Sequence, residues 1–365
     1  MKFNKAFKFR LYPNKEQREL IAKTFGCVRF VYNKMLSEKI AHYNDCGESL
    51  LVTPAKYKTD FEWLKEVDSL ALANAQLNLE TAYKNFFRDK SIGFPKFKSK
   101  RNDRKSYTTN RVSNNIRIED KHIKLPKLGF VKIKQHRYIS KDYKLKSATI
   151  SQSASGNYYV SVLFEYETDI QLKPIKSIIG LDFSMSELYI SSEGNKPEYP
   201  RFYRRSLQKL AGMQRALSKM KKYSNNYYKQ KRKIAKHHEH IANQRKDFLH
   251  KQSRQIANVY DCAAIENLNM KAMSQALNFG KSVHDNGWGM FAAFLEYKLT
   301  EQGKRLVKID KWFPSSKLCS VCRVVKKELT LADRTYICDC GNILDRDVNA
   351  ATNIKNEALR LLATV

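Results

Sequence analysis

Two short apolar runs constrain this chain most: "SIIGLDF", Ser177 to Phe183, and "DCAAIENL", Asp261 to Leu268. Neither is long enough for a helix, and each reads as a strand buried in a sheet. Each run then ends in an acid. Asp182 follows Ile178, Ile179 and Leu181; Glu266 follows Ala263, Ala264 and Ile265. Both carboxylates are thereby placed at the carboxyl edge of a buried sheet, where an uncompensated charge is costly. One such acid is ordinary, since strand ends are often polar. Two of them, followed by an acidic helix start near the C-terminus, form a pattern.

That helix start is "LDRDVNAATNI". From Asp347, the residues Ala351, Ile354, Ala358 and Leu361 recur at helical spacing, so Asp347 opens the face that packs on the sheet. Asp345 leads instead to Asn349 and Asn353, a polar face, and is placed to act as the helix N-cap. Ala350 and Ala351 are small enough to let the helix approach the strands closely. The chemical candidates are therefore Asp182, Glu266 and Asp347. Two unit charges about 4 Å apart repel by roughly 4 kcal/mol at an effective dielectric of about 20, so three converging carboxylates need a counter-charge. Mg²⁺ suits oxygen ligands. Two such ions would clamp the attacking water and the leaving oxygen of a phosphodiester, a hydrolysis that needs no protein nucleophile.

Seven cysteines are present, and four of them cluster: Cys319-x2-Cys322, fifteen residues, then Cys338-x1-Cys340. Four thiols at this spacing in a reducing compartment predict a tetrahedral Zn²⁺ site. With all four positions filled by protein, the zinc is expected to be structural and to clasp the segment that delivers Asp347. Cys27, Cys46 and Cys262 are scattered and read as small core residues or incidental thiols.

Charge sets the class of partner. The 365 residues include 68 Lys+Arg against 36 Asp+Glu, a formal net charge of +32. So large an excess repels itself in a compact fold unless a polyanion neutralises it, and nucleic acid is the obvious polyanion. Hydrophobic residues make up 42%, which excludes a disordered basic tail. No apolar run reaches the about 18 residues of a membrane-spanning helix, and the start "MKFNKAFKFRLYP" alternates like a strand, so a cytoplasmic, nucleoid-associated protein is expected. In "FPKFKSKRNDRK" and "KMKKYSNNYYKQKRKIAKHH", cations interleave with Tyr and Phe, as phosphate contacts interleave with base stacking. The residues singled out as nucleic-acid contacts are Lys96, Lys98, Lys100, Arg101, Arg104, Lys105, Arg204, Arg205, Lys229, Lys231 and Arg232. "HHEH", His237 to His240, reads as a solvated or RNA-facing stretch of helix, and Trp288 as helix-start packing.

Along the chain, Phe3, Phe7, Phe9 and Leu11 share one strand face. Two helices follow, marked by Leu20, Phe25, Val28, Val31 and Leu36, then by Leu72, Leu79, Tyr83 and Phe86. After the break at Gly93 and Pro95 come short strands and a hairpin turning near Ser155-Gly156-Asn157. Beyond "ETDIQLKPIKS" the order becomes strand, hairpin, long basic helices, strand, helix, strand, cysteine module and helix.

"GLDFSMSELYI", "AIENLNMKAM", "WFPSSKLCSVC" and "CDCGNILDRDVNAATNI", with "FRLYPNKEQ", "GCVRFVYN" and "GFPKFKSKR", resemble the TnpB family, transposon-encoded RNA-guided nucleases related to the type V CRISPR effectors. The resemblance runs over essentially the whole chain. It implies a mixed α/β plus β architecture. A RuvC nuclease domain of RNase H type would span 173–365, with a zinc-finger insertion at 314–344. A wedge-like β-barrel would comprise 1–12 and 107–172, with a helical recognition insertion at 13–106. Carried over by motif, the catalytic residues are Asp182, Glu266 and Asp347. The implied partners are a guide RNA from the transposon end, a double-stranded target DNA with an adjacent motif, and a transposase of the same element acting alongside. Arg323 departs from the Gly common after the first cysteine pair of such ribbons, without removing a ligand. A non-cleaving RNA-guided regulator, a DDE-type transposase and a zinc-containing RNA-binding protein remain as alternative readings.

Overall fold

The computed structural model describes residues 2–100, 105–276, 285–330 and 333–364. The chain divides into two compact units, Met1–Thr168 and Asp169–Val365.

The first unit opens with strand β1 (Lys2–Tyr12), continues with helices α1 (Lys15–Cys46), α2 (Tyr57–Asp60) and α3 (Ser69–Arg88), and returns to strands β2 (Ser106–Asn110), β3 (Arg117–Glu119), β4 (His122–Leu125), β5 (Gly129–Lys134), β6 (Lys144–Gln152) and β7 (Tyr158–Glu167). These strands form one antiparallel sheet in the order β2-β6-β7-β1-β5-β4-β3. A reciprocal capping box of Asn14 and Gln17 starts α1, and Gly47 ends it at a φ of 73°, the left-handed conformation that favours glycine. The β1 face predicted from alternation is turned inward: Phe7, Phe9 and Leu11 are buried. Ile21, Val31 and Leu36 of α1 and Leu72 and Leu79 of α3 join the same core, so the helices between β1 and β2 have no core of their own.

The second unit contains β8 (Ile178–Phe183), β9 (Tyr189–Ser191), α4 (Phe202–Ser218), α5 (Asn225–Val259), β10 (Cys262–Glu266), α6 (Met270–Ala276), α7 (Trp288–Thr300), β11 (Arg305–Ile309), β12 (Thr335–Ile337), β13 (Ile343–Asp345) and α8 (Arg346–Ala363). Its main sheet has the order β11-β10-β8-β9, parallel except for the edge strand β9. Helices cover both faces, as a parallel sheet requires. Ile179, Leu181, Ala263 and Ile265 pack with Leu249, Trp288 and Phe291 on one side. Ala264 and Ile309 pack with Ile354 and Ala358 of α8 on the other.

Strand alternation then decides where the acids point. Ile178, Gly180 and Asp182 share the α8 side of β8, as Ala264 and Glu266 share it on β10. Leu181 is level with Ile265, which brings Asp182 level with Glu266 one residue further on. The close approach of α8 rests on Gly180: a Cβ there would lie 2.0 Å from the Ala351 carbonyl oxygen and 2.8 Å from the Lys355 nitrogen. Glycine is thus the counterpart of the alanines on the helix.

Candidate active site and metal centre

Asp182, Glu266 and Asp347 line one cleft of about 830 Å³, together with Ser315, Arg204, Arg334 and Arg346. Asp182 is held well above the ordinary carboxylate range by burial, then by the charges of Glu266 and Asp347, with Arg346 opposing. Glu266 is raised by burial too, and the Ser315 hydroxyl that donates to its Oε1 at 2.5 Å works the other way. Asp347 accepts from Arg346 Nε at 3.2 Å and Nη2 at 3.1 Å, and Arg334 approaches its other oxygen at 4.0 Å. The donor set is therefore three hard oxygen ligands, two of them held above the ordinary carboxylate range chiefly by burial, and this fits Mg²⁺. No carboxylate group among the described residues is gathered as tightly as the cysteines described below.

The two aspartates of the helix start have separate tasks. Asp345 is the N-cap: its Oδ1 accepts from the N–H groups of Asp347 and Val348 at 3.0 and 3.1 Å, and its other oxygen accepts from Lys196 at 2.6 Å. These contacts hold it below its ordinary value, against burial. Asp347, one helical position in, faces the cleft.

The cysteine spacing closes into a centre. Cys319, Cys322, Cys338 and Cys340 bring their sulfurs within 4.8 Å of one another, with Cys319 3.7 Å from Cys340 and Cys322 3.6 Å from Cys338. A tetrahedral ion with bonds of about 2.3 Å to sulfur has S···S edges of about 3.8 Å, so the set fits zinc. Two tight turns make it. Cys319 N–H donates to Val324 and Arg323 N–H to Cys319 in the first; Gly341 N–H donates to Cys338 in the second. Arg323 and Gly341 occupy the left-handed region at φ 65° and 89°. Arg323 thus stands in the conformation that glycine adopts most easily. Burial raises the Cys319 thiol, but the N–H groups of Cys322 and Val321 and the Asn342 amide outweigh it and hold Cys319 down to about 6. Cys322 is lowered by the Val324 N–H, yet burial and the other three sulfurs push it up to about 12. The Cys319 thiolate is favoured without metal, whereas ionisation of Cys322 and Cys338 is disfavoured until a cation is bound.

One sequence expectation is corrected. Asn349 and Asn353 were expected to form a polar face, but both are fully buried, covered by the turn around Cys319. Asp285 is a further cleft residue that sequence reading missed. It is buried, accepts from the Tyr203 and Arg204 N–H groups at the start of α4, and pairs with Arg245 at 3.3 Å. "VHDNGW" gives it no apolar run to mark it.

Of the expected nucleic-acid contacts, Arg204 lines the acidic cleft. Arg205, Lys229, Lys231 and Arg232 are exposed on α4 and α5. Lys96, Lys100 and Lys105 are exposed in the first unit, where Lys98 sits 4.1 Å over the Tyr32 ring. Arg101 and Arg104 lie outside the described residues. Trp288 is buried at its helix start, against Phe183 and Phe291. Among the described residues, no helix is long and apolar enough to cross a membrane.

Known proteins match this architecture along its length. Residues 161–277 match the family described as "Probable transposase" of OrfB IS605 type, residues 288–354 the "Cas12f1-like, TNB domain", and residues 1–48 a "Helix-turn-helix domain". In this chain the last stretch is one strand and one continuous 32-residue helix. A protein of Streptomyces pristinaespiralis named "Putative RNA-guided DNA endonuclease" is 35% identical over 96% of this chain and 88% of its own. The Escherichia coli K12 protein "Putative RNA-guided DNA endonuclease InsQ" is 32% identical over 97% and 92%. A Cas12f1 chain solved with sgRNA and target DNA shares the fold, with a TM-score of 0.63 at 11% identity over 97% of this chain and 99% of that one. With such identity held over nearly its full length, the chain belongs to the TnpB family of transposon-encoded proteins.

Proposed function

We propose that this protein is an RNA-guided, Mg²⁺-dependent endonuclease that cleaves double-stranded DNA beside a short transposon-associated motif, using a guide RNA from the transposon end. The observation that carries this reading is the meeting of Asp182, Glu266 and Asp347 in one cleft at the carboxyl edge of the sheet, in a chain of net charge +32. The names of the two relatives support the guided activity. The three carboxylates would hold one or two Mg²⁺ ions, which supply a polarised phosphate and an activated water. Ser315 orients Glu266, and Arg204 and Arg334 offer charge to the phosphodiester. The four cysteines would hold a structural zinc. The sheet and helices of the first unit act as wedge and recognition module, and 173–365 as a RuvC nuclease with the zinc finger at 314–344 inserted.

The test is to express the gene with its downstream flank, sequence any copurifying RNA, and offer a matched duplex with Mg²⁺ or EDTA. Guided cleavage with Mg²⁺ alone is expected. Absence of RNA, or cleavage in EDTA, sinks the reading; strand-joined products point to a transposase, and guided binding without cutting to a regulator.

The raised carboxyl of Asp182 makes this testable through stability. The folded chain retains a proton there that the unfolded chain releases above about pH 3.9. Without metal, the group's contribution to stability therefore falls as pH rises from that value through the raised one. A bound cation favours the ionised form. The rise in Tm on adding Mg²⁺ should grow as pH is raised above the ordinary carboxylate range, and that growth should shrink in Asp182→Asn. A pH-independent Mg²⁺ effect would remove Asp182 from the metal site.

The basic first half of α5 gives a second expectation. Replacing Lys229, Lys231 and Arg232 together by alanine should weaken guide-RNA binding and lower the slope of log K against log salt by about 2, at about 0.7 per lost single-strand phosphate contact. An unchanged slope in a filter-binding titration would show that these residues touch no phosphate.

A further inference from the structure

We infer that Asn353 and Ser315 form a bridge through which the cysteine centre positions the carboxylates of the cleft, so that zinc occupancy sets the affinity of the carboxylates for a divalent cation. The inference rests on the proposed function above. Its links are short and continuous. Asn349 Nδ2 donates to the Leu318 carbonyl at 2.8 Å and its Oδ1 accepts from Ser320 N–H at 3.0 Å, which grips the backbone on either side of Cys319. Asn353 Nδ2 donates to the same Leu318 carbonyl at 2.6 Å and to the Ser315 carbonyl at 2.8 Å. Ser315 then donates through its hydroxyl to Glu266 at 2.5 Å. The same helix that carries both asparagines carries Asp347. One turn around Cys319 is thus tied to two of the three acids, Glu266 through Ser315 and Asp347 through α8.

The energetics point to positioning over stability. Both amides are fully buried, and the partners they meet there are backbone groups of residues 315–320. A buried amide hydrogen bond contributes little net stability, because folding exchanges it for hydrogen bonds to water. The Asn353 Oδ1 atom is buried with no hydrogen-bond partner among the described residues, which costs stability. What the amides do secure is register: both donors hold the Leu318 carbonyl, beside Cys319, from successive turns of α8, and Asn353 holds the Ser315 carbonyl as well. Groups that orient metal ligands from behind in this way typically change metal affinity 10- to 100-fold when removed, on the order seen for outer partners of metal ligands.

The test uses the full chain with zinc in place and Mn²⁺ as the probe, its free concentration read by electron paramagnetic resonance. Asn353→Leu and Ser315→Ala should each keep one zinc per chain and weaken Mn²⁺ binding by about tenfold. Because they interrupt one bridge, the double variant should be little weaker than the worse single. Stripping zinc with a chelator should weaken Mn²⁺ binding in the parent chain and weaken it less in Asn353→Leu. If Asn353→Leu does not fold, Ser315→Ala, which leaves the cysteine turn untouched, decides alone. Mn²⁺ affinity within about twofold of the parent in the folded variants, or independent multiplication of their effects, overturns the bridge. Asp182→Asn separates this from the underlying reading: Mn²⁺ binding that survives it sinks the carboxylate site and the bridge together, whereas binding lost there but unchanged in Asn353→Leu and Ser315→Ala sinks the bridge alone.

Discussion

Asp182→Asn is expected to abolish DNA cleavage while leaving guided DNA binding intact. The amide keeps the shape of the side chain and removes the charge that a cation needs at the end of β8. Loss of a direct metal ligand should exceed the about 100-fold reached by residues acting behind ligands. Asp347→Asn should be equally damaging. Asp345→Asn should not, although it lies two residues away: asparagine caps a helix as well as aspartate does, and the Lys196 pair it gives up is part-exposed and worth little. Single-turnover cleavage with affinity measured in parallel decides this. Comparable damage from Asp345→Asn and Asp347→Asn would remove the distinction between cap and ligand.

The second large effect is expected from adding one methyl group. Gly180→Ala would put a Cβ 2.0 Å from the Ala351 carbonyl oxygen, an overlap with backbone that no rotamer can relieve. Either α8 lifts from β8 or the strand shifts. Overpacking of this kind costs about 1–3 kcal/mol, which in a unit of this size lowers Tm by roughly 2–4 °C per kcal/mol. Because α8 carries Asp347, cleavage should fall by up to about 100-fold, the loss that goes with a reacting group misplaced by about 1 Å. Gly212→Ala is the control. Nothing lies within 4 Å of its added Cβ, and it sits inside α4, so a gain of about 0.4–1 kcal/mol is expected. Gly180→Ala with normal Tm and normal cleavage would show that the helix has room to spare.

Much of the site could be read from local pattern. Asp182 and Glu266 terminate apolar runs, so their position at a sheet edge follows from where each strand must end. Their common direction also follows, since Ile178, Gly180 and Asp182 alternate with Ile179 and Leu181. The choice of Asp347 over Asp345 came from helical spacing; the cap at Asp345 agrees with it, but burial does not separate the two faces, since Asn349 and Asn353 are buried as fully as Ala351 and Ile354. Asn349 and Asn353 show where such reading stops. On a helical projection their polarity marks a solvent face; in the structure that face is closed by a turn brought from thirty residues earlier in the chain. Asp285 and Arg346 were invisible for a similar reason: one is buried through contacts with α4 and α5, the other through its hold on Asp347.

The sequence by itself singled out the three acids and the four cysteines as candidates, because strand alternation, helix spacing and cysteine spacing are all set within a few residues of each side chain. It also pointed to a polyanionic partner, since net charge needs no fold. Only the tertiary structure decided that three acids from two strands and a helix share one cleft, that a glycine makes room for that helix, and that two buried amides tie it to the cysteine turn. Those outcomes depend on contacts between segments far apart in the chain, where packing distance, and not local periodicity, is the deciding quantity.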